Sequence, residues 1–251
     1  TERDWSSDVC SSDLAAGRNV IAGNADDGVQ LYDLGVGNRV QGNYIGVGAD
    51  GTTVIGNTNR GVQVYGGSTN NLIGGTNPGE GNIIAGSGDD GVQIIDAAST
   101  GNSVLGNLIY GSTDHGIDLN NDNNTNNDAL DTDTGPNNLQ NTPDLQAAST
   151  SGSQVYITGS LFSTPSTNYR IEFFSAASAD PSAHGEAEQF IGAITVTTAG
   201  NGGVNFDQVF SAVVAAGDIV TATATNLTTG DTSEFSLNVT ATEGLIVDTT
   251  D

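Results

Sequence analysis

The chain has 251 residues, with 30 Asp and Glu against 5 Arg and no Lys, and a formal net charge of -25 at pH 7. So dense a negative field excludes DNA, RNA and anionic membrane surfaces as partners, and favours divalent cations or neutral polar ligands such as glycans. No apolar run is long enough to cross a bilayer, so no membrane insertion is expected in this segment.

Residues 4–14, DWSSDVCSSDL, hold the chain's single Trp (Trp5) and single Cys (Cys10). Over eleven consecutive residues this stretch resembles the in-frame translation of a common short-read sequencing adapter. Residues 1–14 are therefore set aside as an adapter-derived tail. What remains is free of Cys and Lys and rich in Asn, Thr and Gly. That composition suits a bacterial extracellular or cell-surface protein whose signal peptide lay upstream.

A repeat begins after the tail. GVQLYD at 28, GVQVYG at 61, GVQIID at 91 and GIDLNN at 116 form one phase. A second phase precedes each of them, starting at Asn19, Asn43, Asn82 and Asn107. A third follows with NRVQG at 38, NLIGG at 71 and NSVLG at 102. The second copy carries an insertion around VGADGTTVIGN. The runs alternate with period 2 and Gly or Asn interrupts them every few residues, which excludes helices. Three short strands per repeat, each stacked on its counterpart in the next, predict a parallel β-helix over residues 15–120. Val29, Val62, Val92 and Ile117 are expected inside as one column, and Leu31, Val64, Ile94 and Leu119 as the next. The recurrent Asn residues are expected at the turns, their amides bonded between coils.

This pattern resembles the bacterial right-handed parallel β-helix repeat proteins, surface or secreted chains with coils of the type NxIxGN…GVxI. The resemblance runs over about residues 17–145 and implies an all-β, right-handed parallel β-helix of three to four coils. Residues 121–146 read as an acidic Asn/Asp-rich loop and linker. Six alternating segments then fill 147–242, starting at Gln154, Asn168, Glu188, Val204, Asp218 and Ser233. They predict an antiparallel β-sandwich, similar to the Ig-like module that often follows such β-helices. Residues 243–251 read as a linker or the start of a further module, so further domains of the same chain are expected partners.

Ladders of polar side chains beside the GVQ strand are the candidate site. Asp27, Asp90, Gln30, Gln63, Gln93, Tyr32, Tyr65 and Asp118 offer carboxylates, amides and rings, which suits a polysaccharide or cell-surface glycan. By fold analogy with pectate lyases and polygalacturonases, Arg60 would be a lyase base between Asp27 and Asp90. Asp89, Asp114 and His115 would supply a hydrolase's paired acids. Arg60 is equally read as a cation neutralising the acids above and below it. In the acidic loop Asp122, Asp128, Asp131 and Asp133 give oxygen ligands at the close spacing that calcium takes, though no EF-hand is completed. His184 and Glu186 fall in a sandwich loop and read as solvated. No nucleophile elbow, phosphate loop or zinc-protease motif occurs. The expected function is a non-catalytic adhesion or glycan-binding segment; the alternative is a β-helix polysaccharide lyase or glycoside hydrolase acting on acidic glycans.

Overall fold

A computed structural model describes residues 17–244; the adapter-like stretch and residues 245–251 lie outside it. Eleven short strands come first: β1 (Val20–Ile21), β2 (Val29–Leu31), β3 (Arg39–Val40), β4 (Tyr44–Ile45), β5 (Val62–Val64), β6 (Leu72–Gly74), β7 (Ile83–Ala85), β8 (Val92–Ile94), β9 (Ser103–Leu105), β10 (Leu108–Tyr110) and β11 (Ile117–Leu119). They stack into three parallel sheets, β1-β4-β7-β10, β2-β5-β8-β11 and β3-β6-β9, which is the expected parallel β-helix. Register carries the side-chain columns through the stack. Val29 pairs with Val62, Val62 with Val92 and Val92 with Ile117, while Leu31, Val64, Ile94 and Leu119 follow the same order. From the second coil on, both columns are buried in one core with Ile45, Ile84, Ile73 and Val104.

The Gly that opens each GVQ strand has a steric reason. A Cβ on Gly61 would lie 2.6 Å from the Gly91 carbonyl oxygen and 2.3 Å from the Ile84 side chain. The coils close on backbone there, and no other residue fits. The insertion in the second coil forms a small antiparallel loop bridged at Val47 and Val54, with Asp50 accepting from the backbone of Thr52 and Thr53.

Asn residues bind the coils to one another. In one ladder the Asn71 side-chain oxygen accepts from Asn38 Nδ2 and backbone N; Asn102 does the same for Asn71. A second ladder runs Asn19, Asn43, Asn82, Asn107. In the fourth coil a 3-10 turn, Pro136–Leu139, takes the place of the third strand. Asn137 continues the first ladder there, accepting from Asn102 N at 3.0 Å. Part of the acidic linker segment thus completes the last coil.

Seven strands follow: β12 (Asp144–Thr150), β13 (Val155–Phe162), β14 (Asn168–Ala176), β15 (Gln189–Thr197), β16 (Gly203–Phe210), β17 (Ile219–Asn226) and β18 (Val239–Glu243). β16, β13 and β12 make one face; β15, β14 and β17 make the other. β18 belongs to both, pairing antiparallel with β17 through Val239–Thr240 and parallel with β12 through Ala241–Glu243. The parallel pair departs from the purely antiparallel sandwich expected. A second core of Tyr169, Ile171, Phe173, Ile157 and Leu161 fills the space between the faces.

Two elements differ from the sequence-based expectation. β12 was hidden in the linker because a bulge between Leu145 and Ala147 breaks its alternation. The Ser233 segment delays its strand to Val239, because residues 232–237 serve the junction with the β-helix. Phe235 leaves the sandwich core and enters the β-helix core beside Phe174 and Ala187.

Candidate functional site

The end of a parallel β-helix exposes a row of unpaired N–H donors, a liability that must be covered. Here the sandwich covers it with carboxylates. Glu172 accepts from Gly106 N at 2.8 Å, and Asp231 accepts from Gly101 N at 2.6 Å. Glu186 takes Gly111 N and Ser112 N, both at 2.8 Å. Glu234 takes Leu119 N at 2.9 Å and Thr125 N at 3.0 Å. Burial pushes Glu234 up to about 8 despite those donors, and lifts Glu172 and Glu186 above the ordinary Glu range. Glu186, read from sequence as solvated, is one of the four caps, and His184 Nδ1 lies 3.0 Å from the Phe235 carbonyl oxygen. The sequence signals two of these caps, Glu172 and Glu234, as acids beside apolar residues in RIEFF and TSEFS; Glu186 and Asp231 lie in polar loops that give none.

The GVQ face carries the polar ladders. Its middle residues align as Gln30, Gln63, Gln93 and Asp118. Gln30 donates to Asp27 at 2.7 Å. Gln63 donates to Gln93 at 2.8 Å, and Gln93 donates to Asp90 at 2.8 Å and to Asn121 at 2.7 Å. Gln63, Gln93, Asp90 and Asp118 are buried, so from Gln63 of the second coil onward the face presents a closed network where an open ladder was expected. A ligand on this face meets Gln30, Tyr32 and Tyr65 first, because the Asp27 side chain, expected to be open, is 2% exposed and held by Arg60 and Gln30. The rings of Tyr32 and Tyr65 stack with centroids 4.7 Å apart, and Tyr32 is 59% exposed.

Arg60 sits between coils. Its guanidinium lies 2.8 Å from Asp89 and 4.0 Å from Asp27, and Asp27 also accepts from its backbone N. The acid in the following coil is Asp89 rather than Asp90. The neutralising arrangement is the one present, with Arg60 ion-paired to an acid of the coil on either side.

Asp90, Asp114 and His115 converge: one ligand atom from each lies within 4.8 Å of the others. Asp90 Oδ1 accepts from His115 N at 3.2 Å. Desolvation and the neighbouring Asp118 charge push Asp90 up to about 7. His115 Nδ1 is 2.9 Å from Asp114 Oδ1, yet neither ring nitrogen has an aligned hydrogen-bond partner among the described residues.

In the acidic loop Asp128, Asp131 and Asp133 gather within 4.8 Å, whereas Asp122 turns away to accept from Asn120. Asp131 also accepts from Asn141 N and Ser163 Oγ, tying the loop to the sandwich; desolvation pushes it up to about 6. Asp133 Oδ1 is buried and has no hydrogen-bond partner among the described residues.

Fold and site together define a parallel β-helix whose end is sealed by a β-sandwich and whose one flank carries stacked tyrosines and acids. No family model matches the chain, and no curated protein matches it. Among solved structures, one described as "Biofilm associated protein - BSP domain" is similar over 46% of this chain and 18% of that one, at 16% identity and a TM-score of 0.28. The match therefore spans less than a fifth of that protein's chain.

Proposed function

We propose that this chain is a non-catalytic segment of a bacterial extracellular or cell-surface protein, and that it binds glycan on the open half of the GVQ face. The Tyr32–Tyr65 stack carries the reading: two rings 4.7 Å apart make an aromatic platform on the flank of the stack, beside the exposed amide of Gln30, which the buried Asp27 side chain holds in place. Aromatic faces with adjacent amides and carboxylates suit the alternating C–H and hydroxyl surfaces of a sugar chain. The -25 charge favours neutral glycans, or acidic ones bridged by calcium. Calcium at Asp128, Asp131 and Asp133 belongs to the same proposal, with oxygen ligands from one short loop.

A glycan array tests it. Binding that falls about tenfold or more in Tyr32→Ala and Tyr65→Ala supports the platform, since one such stack contributes on the order of 1 kcal/mol or more. An array without hits, or hits indifferent to both substitutions, refutes it. The second reading, a lyase or glycoside hydrolase, draws on the close Asp90 and Asp114 carboxylates beside His115. Unsaturated products or new reducing ends from uronate polymers, lost in Asp114→Asn, would establish that activity.

A further inference from the structure

We infer that Asp90, Asp114 and His115 form a zinc site between the third and fourth coils. The ring of His115 is the observation that points to a ligand. The residue is 4% exposed, and neither nitrogen has a hydrogen-bond partner among the described residues. A buried imidazole with two idle nitrogens leaves desolvation uncompensated, which native structures rarely tolerate. Its Nδ1 nonetheless touches Asp114 Oδ1 at 2.9 Å without hydrogen-bond alignment. About 3 Å is the spacing of two ligand atoms that each sit about 2 Å from one ion.

The electrostatics agree. Asp90 is 1% exposed and Asp118 2%, and Asp114 stands beside them. The nearest Arg of the GVQ face, Arg60, is spent on Asp89 and Asp27 one coil away. A buried group of acids with its neighbouring cation engaged elsewhere is stabilised by a bound cation. The donor set selects among cations. One imidazole with two carboxylates suits zinc, whereas calcium and magnesium take oxygen alone. Asp114 has a 47% exposed side chain, so water reaches the fourth position. Asp90 is held from behind by Gln93, which orients the carboxylate as outer-shell partners of metal ligands do. Three protein ligands with one open position describe a site that can bind an anionic or hydroxylated group through the metal, independently of the tyrosine platform.

The test uses the full chain, stripped with a chelator and titrated with zinc alone in competition with a chromophoric zinc chelator. The expected result is one equivalent bound, with affinity reduced by about 100-fold or more in His115→Gln and in Asp114→Asn, and unchanged in Asp207→Asn, which alters an exposed acid of β16. Asp114→Asn alters a solvent-exposed side chain, so it reports on binding even where His115→Gln unsettles the coil. No stoichiometric zinc, binding that survives both substitutions, or displacement of zinc by equimolar calcium would each overturn the assignment.

Discussion

Asn102→Ala cuts the best-buried ladder of the β-helix. Asn102 Oδ1 accepts from Asn71 N at 3.2 Å and from Asn71 Nδ2 at 2.8 Å, and its Nδ2 donates to the Ser68 carbonyl at 3.0 Å. Asn102 and Ser68 are 0% exposed and Asn71 1%, so solvent does not take over when the amide goes. Three polar groups lose a partner. Each buried unsatisfied group costs about 1–3 kcal/mol. Coil relaxation, or a water entering the vacated space, returns part of that. The expected loss is about 3–5 kcal/mol, a large share of the ~5–15 kcal/mol that holds a typical domain. At ~2–4 °C per kcal/mol for a chain of this size, Tm falls by about 10 °C. Asn59→Ala, which removes a surface bond to Asp26, is the control and shifts stability by less than about 0.5 kcal/mol. Urea unfolding followed by circular dichroism reads both. An Asn102→Ala protein within about 1 kcal/mol of the parent would show that the ladders are not what joins the coils.

Two further outcomes follow from the buried acids. Burial pushes Glu234 up to about 8, Asp90 to about 7 and Asp131 to about 6. Above about pH 4 the unfolded chain has released these protons while the folded chain keeps them, so their contribution favours folding at low pH and is lost as pH rises through about 6–8. Tm is expected to drop between pH ~5 and pH ~8.5; a flat or rising Tm across that window contradicts the burial argument. Millimolar calcium is expected to raise Tm, with the gain abolished by Asp133→Asn and retained in His115→Gln. A melt indifferent to calcium and EDTA removes the acidic loop as a metal site.

The β-helix was legible because its repeat obeys local rules. Gly at 61 and 91 marks where coils close on backbone, and period-2 alternation puts Val62, Val64, Val92 and Ile94 inside. The ladders were legible because Asn recurs at one position of each copy. The end seal was not, because no periodicity reports contacts such as Gly101 to Asp231, 130 residues apart, or Leu119 to Glu234, 115 apart. The candidate site was legible by residue type and wrong in exposure. Gln93 and Asp118 sit on the outward face as expected, yet hydrogen bonds between coils and to Asn121 close over them. An alternation rule distinguishes inside from outside; it does not say whether the outside is wet.

β12 and β18 are neighbours that run the same way, although they are the first and last strands of the sandwich. Tension applied between the entry to one and the exit from the other slides them lengthwise past each other. The bonds of their ladder are then strained together and must break at once. The β-helix answers the same pull differently, since each coil is held to the next by bonds along the stack and peels away singly. A tethered chain built this way would lengthen by shedding coils while its sandwich stays closed, which makes the β-helix the compliant part of the molecule and the sandwich its anchor.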